Sequence, residues 1–130
     1  MADSIFMQII SGEVPSHKIY EDDKTLAFLD INPVQPGHTL VIPKKPITYL
    51  WDLDDEDYMA VMHTAKLVGT KLRQTMDAEH VGVKVEGLDV PHTHVHLIPF
   101  STPEEFRYIP DHRNAPDHEA LMAIAQKLAF

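Results

Sequence analysis

The sequence predicts an α+β domain, a five-stranded and mainly antiparallel sheet carrying one long helix and shorter terminal helices. Three observations lead there. Short apolar extended runs separated by turn formers fill residues 17–43, one long stretch at about 54–77 has helical periodicity, and two further extended runs precede a final helical segment. The order helix, three strands, helix, two strands, helix is not the regular alternation of a doubly wound fold. No internal repeat, low-complexity tract or composition break divides the 130 residues. The expectation is therefore one domain over 1–130, with a core at about 4–100 and a C-terminal extension at 101–130.

Residues 4–11 read as a short helix with Ser4 as N-cap, Gly12 as the stop, and Ile5, Phe6, Ile9 and Ile10 as its buried stripe. HKIYE (17–21), TLAFL (25–29) and TLVIP (39–43) read as strands separated by Glu21-Asp22-Asp23 and by Asn32-Pro33 to Pro36-Gly37. TLVIP alternates too little to be half exposed, which places it inside the sheet. Asp54 caps the long helix, the acids after it suit a helix N-terminus, and Leu53 with Tyr58 forms a hydrophobic staple. Tyr58, Met62, Ala65, Gly69, Leu72 and Met76 recur at helical spacing and predict its buried stripe. VGVKV and HTHVHLIPF supply the last two strands. Residues 101–115 read as a linker, and a final helix from about Pro116 places Leu121, Ile124 and Leu128 on one face.

Composition narrows the function. Eleven Lys and Arg against twenty Asp and Glu give a net charge of −9. A field of that sign opposes a nucleic-acid polymer or an anionic membrane as partner, but it leaves room for a small nucleotide in a local pocket of donors. No apolar run approaches the roughly 18 residues of a membrane span, and the first fourteen residues carry acids where a secretory signal needs bases. Zero cysteines exclude disulfides, thiolate metal sites and thiol nucleophiles. These features predict a cytoplasmic protein.

Histidine is the residue in excess, nine in 130. Pro91-His92-Thr93-His94-Val95-His96-Leu97-Ile98-Pro99 contains H-x-H-x-H, a pattern that this composition produces by chance only about 4% of the time. On a strand, the period of two puts His92, His94 and His96 on one face and Val95 and Leu97 on the other. Two chemistries compete. In the first, two of the rings bind a metal with a third ligand from His38, Asp30 or Asp89; the outer pair is roughly 13 Å apart along a straight strand and cannot share one ion. In the second, labour is divided. One neutral imidazole attacks an electrophile while its neighbours donate protons, which suits a phosphoryl centre whose charge spreads over several oxygens.

Four segments together resemble the histidine triad (HIT) family of nucleotide hydrolases and transferases, over roughly residues 4–100. They are Ser4-Ile5-Phe6 through Gly12-Glu13 to Tyr20-Glu21-Asp22-Asp23, Leu26 to Pro33, Pro36-Gly37-His38 through Leu40 to Lys45, and the triad strand. The resemblance implies that His94 is the nucleophile forming a covalent nucleotidyl-histidine, that His96 contacts the phosphate and assists the leaving group, and that His92 and His38 form a supporting hydrogen-bonded pair. It implies that Asp30 accepts from ribose hydroxyls and that Phe6, Ile9, Phe28 and Ile31 form the slot for the base. Asp89 falls beside the phosphate position, because Gly87-Leu88-Asp89-Val90 stands where the family commonly has Gly-Gln-x-Val with Ser or Thr third. The implied substrate is a purine nucleoside phosphoramidate or related adenylate conjugate; the alternatives are a dinucleoside polyphosphate, a nucleotide sensor with weak catalysis, or the metalloprotein above. The scheme needs no cofactor and no metal. Ser4, Met7 and Pro46 occupy places where some bacterial relatives ligate a structural zinc, so that ion is expected to be absent. A homodimer with joined sheets is also implied.

Overall fold

The computed structural model describes residues 4–130; the first three, part of the stretch read above for an export signal, lie outside the described residues. The elements in chain order are α1 (Ile5–Ser11), β1 (Lys18–Glu21), β2 (Thr25–Leu29), β3 (Thr39–Pro43), a single 3-10 turn (Leu50–Asp52), α2 (Asp55–Thr75), β4 (His80–Lys84), β5 (Val95–Phe100), α3 (Pro103–Phe106) and α4 (His118–Leu128). The strands form one sheet in the order β1-β2-β3-β5-β4, with every neighbouring pair antiparallel. No helix among the described residues is long and apolar enough to cross a membrane.

Local chemistry explains most boundaries. Ser4 accepts from the Met7 N–H at 3.2 Å, and Gly12 ends α1 at φ +85°, a conformation that Gly adopts without steric cost. Asp54 accepts from the Asp57 N–H at 2.9 Å, and three acids occupy the first turn of α2, where the helix dipole favours them. Residues 101–115 are not wholly a linker. Thr102-Pro103-Glu104-Glu105 forms a complete capping box with Pro at the start, and that makes α3.

The two faces of the sheet are covered unequally. On one face Ala27, Leu29, Val41, Val95 and Leu97 meet Val61, Ala65, Val68 and Leu72 of α2 and Leu121, Ala125 and Leu128 of α4. On the other, Leu26, Phe28, Leu40 and Ile42 meet only Phe6 of α1, with Ile9, Ile10 and Val90 partly buried beside them. β2 and β3 are therefore buried throughout, as expected for TLVIP.

The stripe of α2 is turned from the predicted one. Its buried positions are Asp57, Val61, Thr64, Ala65, Val68 and Leu72, while Tyr58 is exposed. Polar partners supplied by the sheet allow this: the Thr64 and Thr25 hydroxyls are 2.7 Å apart, and Lys45 pairs with the buried Asp57 at 2.6 Å. Ile5 likewise leaves the predicted stripe of α1 and is exposed.

Phe106 anchors the C-terminal segment. Its ring lies on β4 at Gly82 and stands 4.8 Å from the Phe100 ring, so a Cβ on residue 82 would collide with it. Gly82→Ala is expected to lower stability by about 1–3 kcal/mol through overpacking, read as a lower urea midpoint with unchanged m-value.

Candidate active site

β5 joins the sheet by pairing with β3, with Thr39 opposite Leu97, Leu40 opposite His96 and Val41 opposite Val95. That register puts His38 diagonally beside His96 and carries His92 toward Pro43, at the far end of β3. The expected His92–His38 pair therefore does not form. His38 Nε2 instead lies 2.9 Å from His96 Nδ1, and His92 Nε2 donates to the Pro43 carbonyl at 2.7 Å. His92, Thr93 and His94 also precede the regular strand, which starts at Val95. They are held by the 46–48 segment: the Ile47 carbonyl accepts from the Thr93 N–H at 2.7 Å and from its hydroxyl at 2.8 Å.

Hydrogen-bond direction fixes the proton on each ring. The Val34 N–H donates to His38 Nδ1 at 3.0 Å, so that nitrogen carries a lone pair. A neutral His38 then has its proton on Nε2 and donates it to His96 Nδ1. His96 in turn must carry its proton on Nε2, a buried N–H with no protein partner at a ring that lines the cavity. His94 has the opposite tautomer. Its Nδ1 donates to the carbonyl of His92 at 2.7 Å, which leaves the Nε2 lone pair free. The His94 and His96 rings are 4.8 Å apart at 66°, so a nucleophilic nitrogen and a donor N–H stand side by side.

Burial enforces the neutral states of His38, His96 and His92. It pushes His38 down to about 3, with the neighbouring His96 adding to the effect, and His96 down to about 4, with His94 adding to it. His92 is also lowered, again chiefly by burial, although its bond to Pro43 opposes the shift. At neutral pH the 3.7 Å approach of His38 Nε2 to Asp30 is therefore no ion pair. Burial raises the Asp30 carboxyl, while the Asn32 N–H and the nearby His112 and His94 pull it back.

The rings open onto a cavity of about 410 Å³ between α1 and the thinly covered sheet face. Every slot residue expected from the sequence lines it, namely Phe6, Ile9, Phe28 and Ile31, together with Asp30, Asp89, His94 and His96. Phe6 meets Phe28 edge-on at 5.6 Å and His94 at 5.1 Å, so α1 sets both the slot and the flank of His94. His38 and His92 lie behind the wall. Ile5, Ser16 and His112 also line the cavity without having been expected there. Ile5 was legible as the edge of the α1 stripe; His112 comes from the extension and carried no local signal. Lys44 and Lys45 do not face the cavity and are engaged with Glu21, Asp54 and Asp57.

Asp30, His38 and His96 offer ligand atoms within 4.8 Å of one another. Ligation at this group would disturb the hydrogen bonds around His38. His38 would have to ligate through Nε2 and move its proton to Nδ1, where the Val34 N–H already points. His92 Nε2 and His94 Nδ1 are committed to carbonyls, whereas His94 Nε2 keeps its lone pair.

The chain's relatives agree with this architecture. The HIT domain profile matches residues 11–102. An uncharacterized HIT-like protein of Borreliella burgdorferi is 42% identical over 106 residues, covering 76% of each chain. Adenosine 5′-monophosphoramidase HNT1 of Saccharomyces cerevisiae is 38% identical over 96 residues, covering 73% of this chain and 61% of its own. A solved Hit-like protein from Bartonella henselae, described as involved in cell-cycle regulation and holding an unknown ligand, superposes with a TM-score of 0.86 at 33% identity over 97% of this chain and 93% of that one. The chain belongs to the histidine triad family.

Because His38 and His96 titrate far below the usual 6.5 when folded, the unfolded chain binds more protons at acid pH. Their contribution to stability is complete above about 6.5 and declines as pH falls through about 4 and toward about 3. Urea midpoints are expected to hold from pH 7.5 to about 6.5 and then to fall down to pH 4.5, with a shallower slope in His38→Gln.

Proposed function

We propose that this chain is a cytoplasmic, homodimeric nucleotidyl hydrolase that cleaves a purine nucleoside 5′-phosphoramidate or a similar adenylate conjugate through a covalent nucleotidyl-His94 intermediate. The observation that carries this reading is the opposed tautomers of two adjacent rings lining an apolar slot, a free lone pair on His94 Nε2 and an unused, buried N–H on His96 Nε2. The HIT-like chain is read as one domain, with a core at about 4–100 and the extension at 101–130.

In the first step His94 Nε2 forms a bond to the α-phosphorus as the P–N bond breaks. The leaving nitrogen gains basicity as the P–N bond breaks, takes up a proton from solvent in that step, and leaves as a neutral amine. His96 Nε2–H donates to a phosphate oxygen and takes up charge that develops there. The Nδ1–H bond to the His92 carbonyl stabilises the positive phosphohistidine ring. Water then attacks the phosphorus, the Nε2–P bond breaks, a nucleoside monophosphate leaves, and the remaining proton passes to solvent. His92 and His38 act as positioning residues, one through its carbonyl and the other through the proton it gives to His96 Nδ1. Phe6, Ile9, Phe28 and Ile31 hold the base and Asp30 the ribose.

The acid Asp89 in the cavity wall supports an amine-bearing conjugate over a dinucleoside polyphosphate, whose additional phosphates it would repel. The homodimer is supported by the unpaired outer edge of β4, where Val83 and Val85 are exposed. The activity of the yeast relative points to the same bond.

With adenosine 5′-phosphoramidate as substrate, wild type is expected to release AMP and to give an adenylylated adduct by quenched-flow mass spectrometry. His94→Ala is expected to lose at least about 10³-fold in kcat, the scale on which removal of a covalent nucleophile acts; retained turnover would refute the mechanism. Leu88→Gln with Asp89→Ser, which restores neutral polar groups beside the phosphate, is expected to raise kcat/KM about tenfold or more, the gain of a charge-assisted hydrogen bond and loss of a like charge.

A further inference from the structure

One wall of the slot comes from outside the triad and its supporting strands. After α3 the chain runs from Arg107 to Ala115 without helix or strand, and every residue in it except Pro110 is exposed. Both ends are fixed, by Phe106 on Gly82 and by α4, whose N-cap Asp117 accepts from the Ala120 N–H at 3.1 Å. Pro110 and Pro116 restrict what lies between them.

Within that span Asp111 organises a tight turn. Its Oδ1 accepts from the Arg113 N–H and Nε, each at 3.0 Å, its Oδ2 accepts from Arg113 Nη2 at 2.8 Å, and its carbonyl accepts from the Asn114 N–H at 3.1 Å. The residue left at the tip is His112, the one member of the Arg107–Ala115 stretch that lines the cavity. Its ring is near enough to Asp30 to favour that carboxylate.

Chemical complementarity gives this placement a purpose. A carboxylate only accepts hydrogen bonds, whereas each ribose hydroxyl both donates and accepts. Asp30 can therefore take the hydroxyl protons but leaves their oxygen lone pairs without a donor. An imidazole N–H on the same cavity wall is able to supply one.

We propose that His112 is a ribose-binding residue, closing the solvent side of the slot over Asp30 and reading the 2′ and 3′ hydroxyls together with that carboxylate. This rests on the nucleotide reading above. The extension would then determine selectivity for ribonucleotides, leaving the reacting bond to the triad.

The test is calorimetric titration of the full chain at pH 7.5 with AMP and with 2′,3′-dideoxyadenosine 5′-monophosphate, using wild type, His112→Ala and His112→Gln. Wild type is expected to prefer AMP. His112→Ala is expected to weaken AMP about fivefold to tenfold, the scale of one net hydrogen bond, and to leave the dideoxy ligand unchanged; His112→Gln, which retains a donor, is expected to recover most of the loss. An equal loss for both ligands, or none for AMP, overturns the assignment and leaves the nucleotide reading standing. Failure of wild type to bind AMP at millimolar concentration overturns both.

Discussion

A single backbone N–H sets the proton inventory of the site. The Val34 amide points at His38 Nδ1 and forces that ring to donate from its other nitrogen. His96 must then accept at Nδ1 and keep its proton on Nε2, a buried N–H on a ring that lines the cavity. Had the loop before β3 supplied a carbonyl at the same place, every proton in the line would reverse, and His96 would hold a lone pair on Nε2 in place of a donor. His94 is set by the same principle with opposite polarity, because its Nδ1 meets the carbonyl of His92. Three of the four histidines thus get their chemical character from main-chain groups.

The unequal covering of the sheet makes this arrangement accessible. A sheet sealed by helices on both faces would bury the triad in a closed core, where unpartnered ring nitrogens cost about 1–3 kcal/mol each. Here α2 and α4 cover one face and the seven-residue α1 covers the other only in part. Most of the hydrophobic stabilisation can come from the α2 side, and the opposite face is left with an apolar recess beside polar rings. Phe6 belongs to both regions, as a core residue against Phe28 and as the neighbour of His92 and His94.

The strands and the long helix were legible because their signals are local. TLAFL and TLVIP coincide with β2 and β3, and the Ser4 and Asp54 caps behave as their residue types dictate. The α2 stripe was misread by about one position because Asp57 and Thr64, polar by composition, are buried against Lys45 and Thr25 from distant segments. The capping box of α3 was present in Thr102-Pro103-Glu104-Glu105 but was masked by the surrounding Pro, Arg and Asp.

By itself the sequence determined which side chains share a face, since alternation along a strand depends only on backbone geometry. From that follows the triad on one side with Val95 and Leu97 on the other, whereas the apolar slot residues followed only from the resemblance to the family. Tertiary structure alone decided which histidine pairs with which. The antiparallel register places His38 beside His96 and sends His92 to Pro43, and register depends on alignment between segments 58 and 49 residues apart. It also brought His112 to Asp30 across more than eighty positions, a juxtaposition that no local pattern encodes because loop closure leaves no periodic trace in the chain.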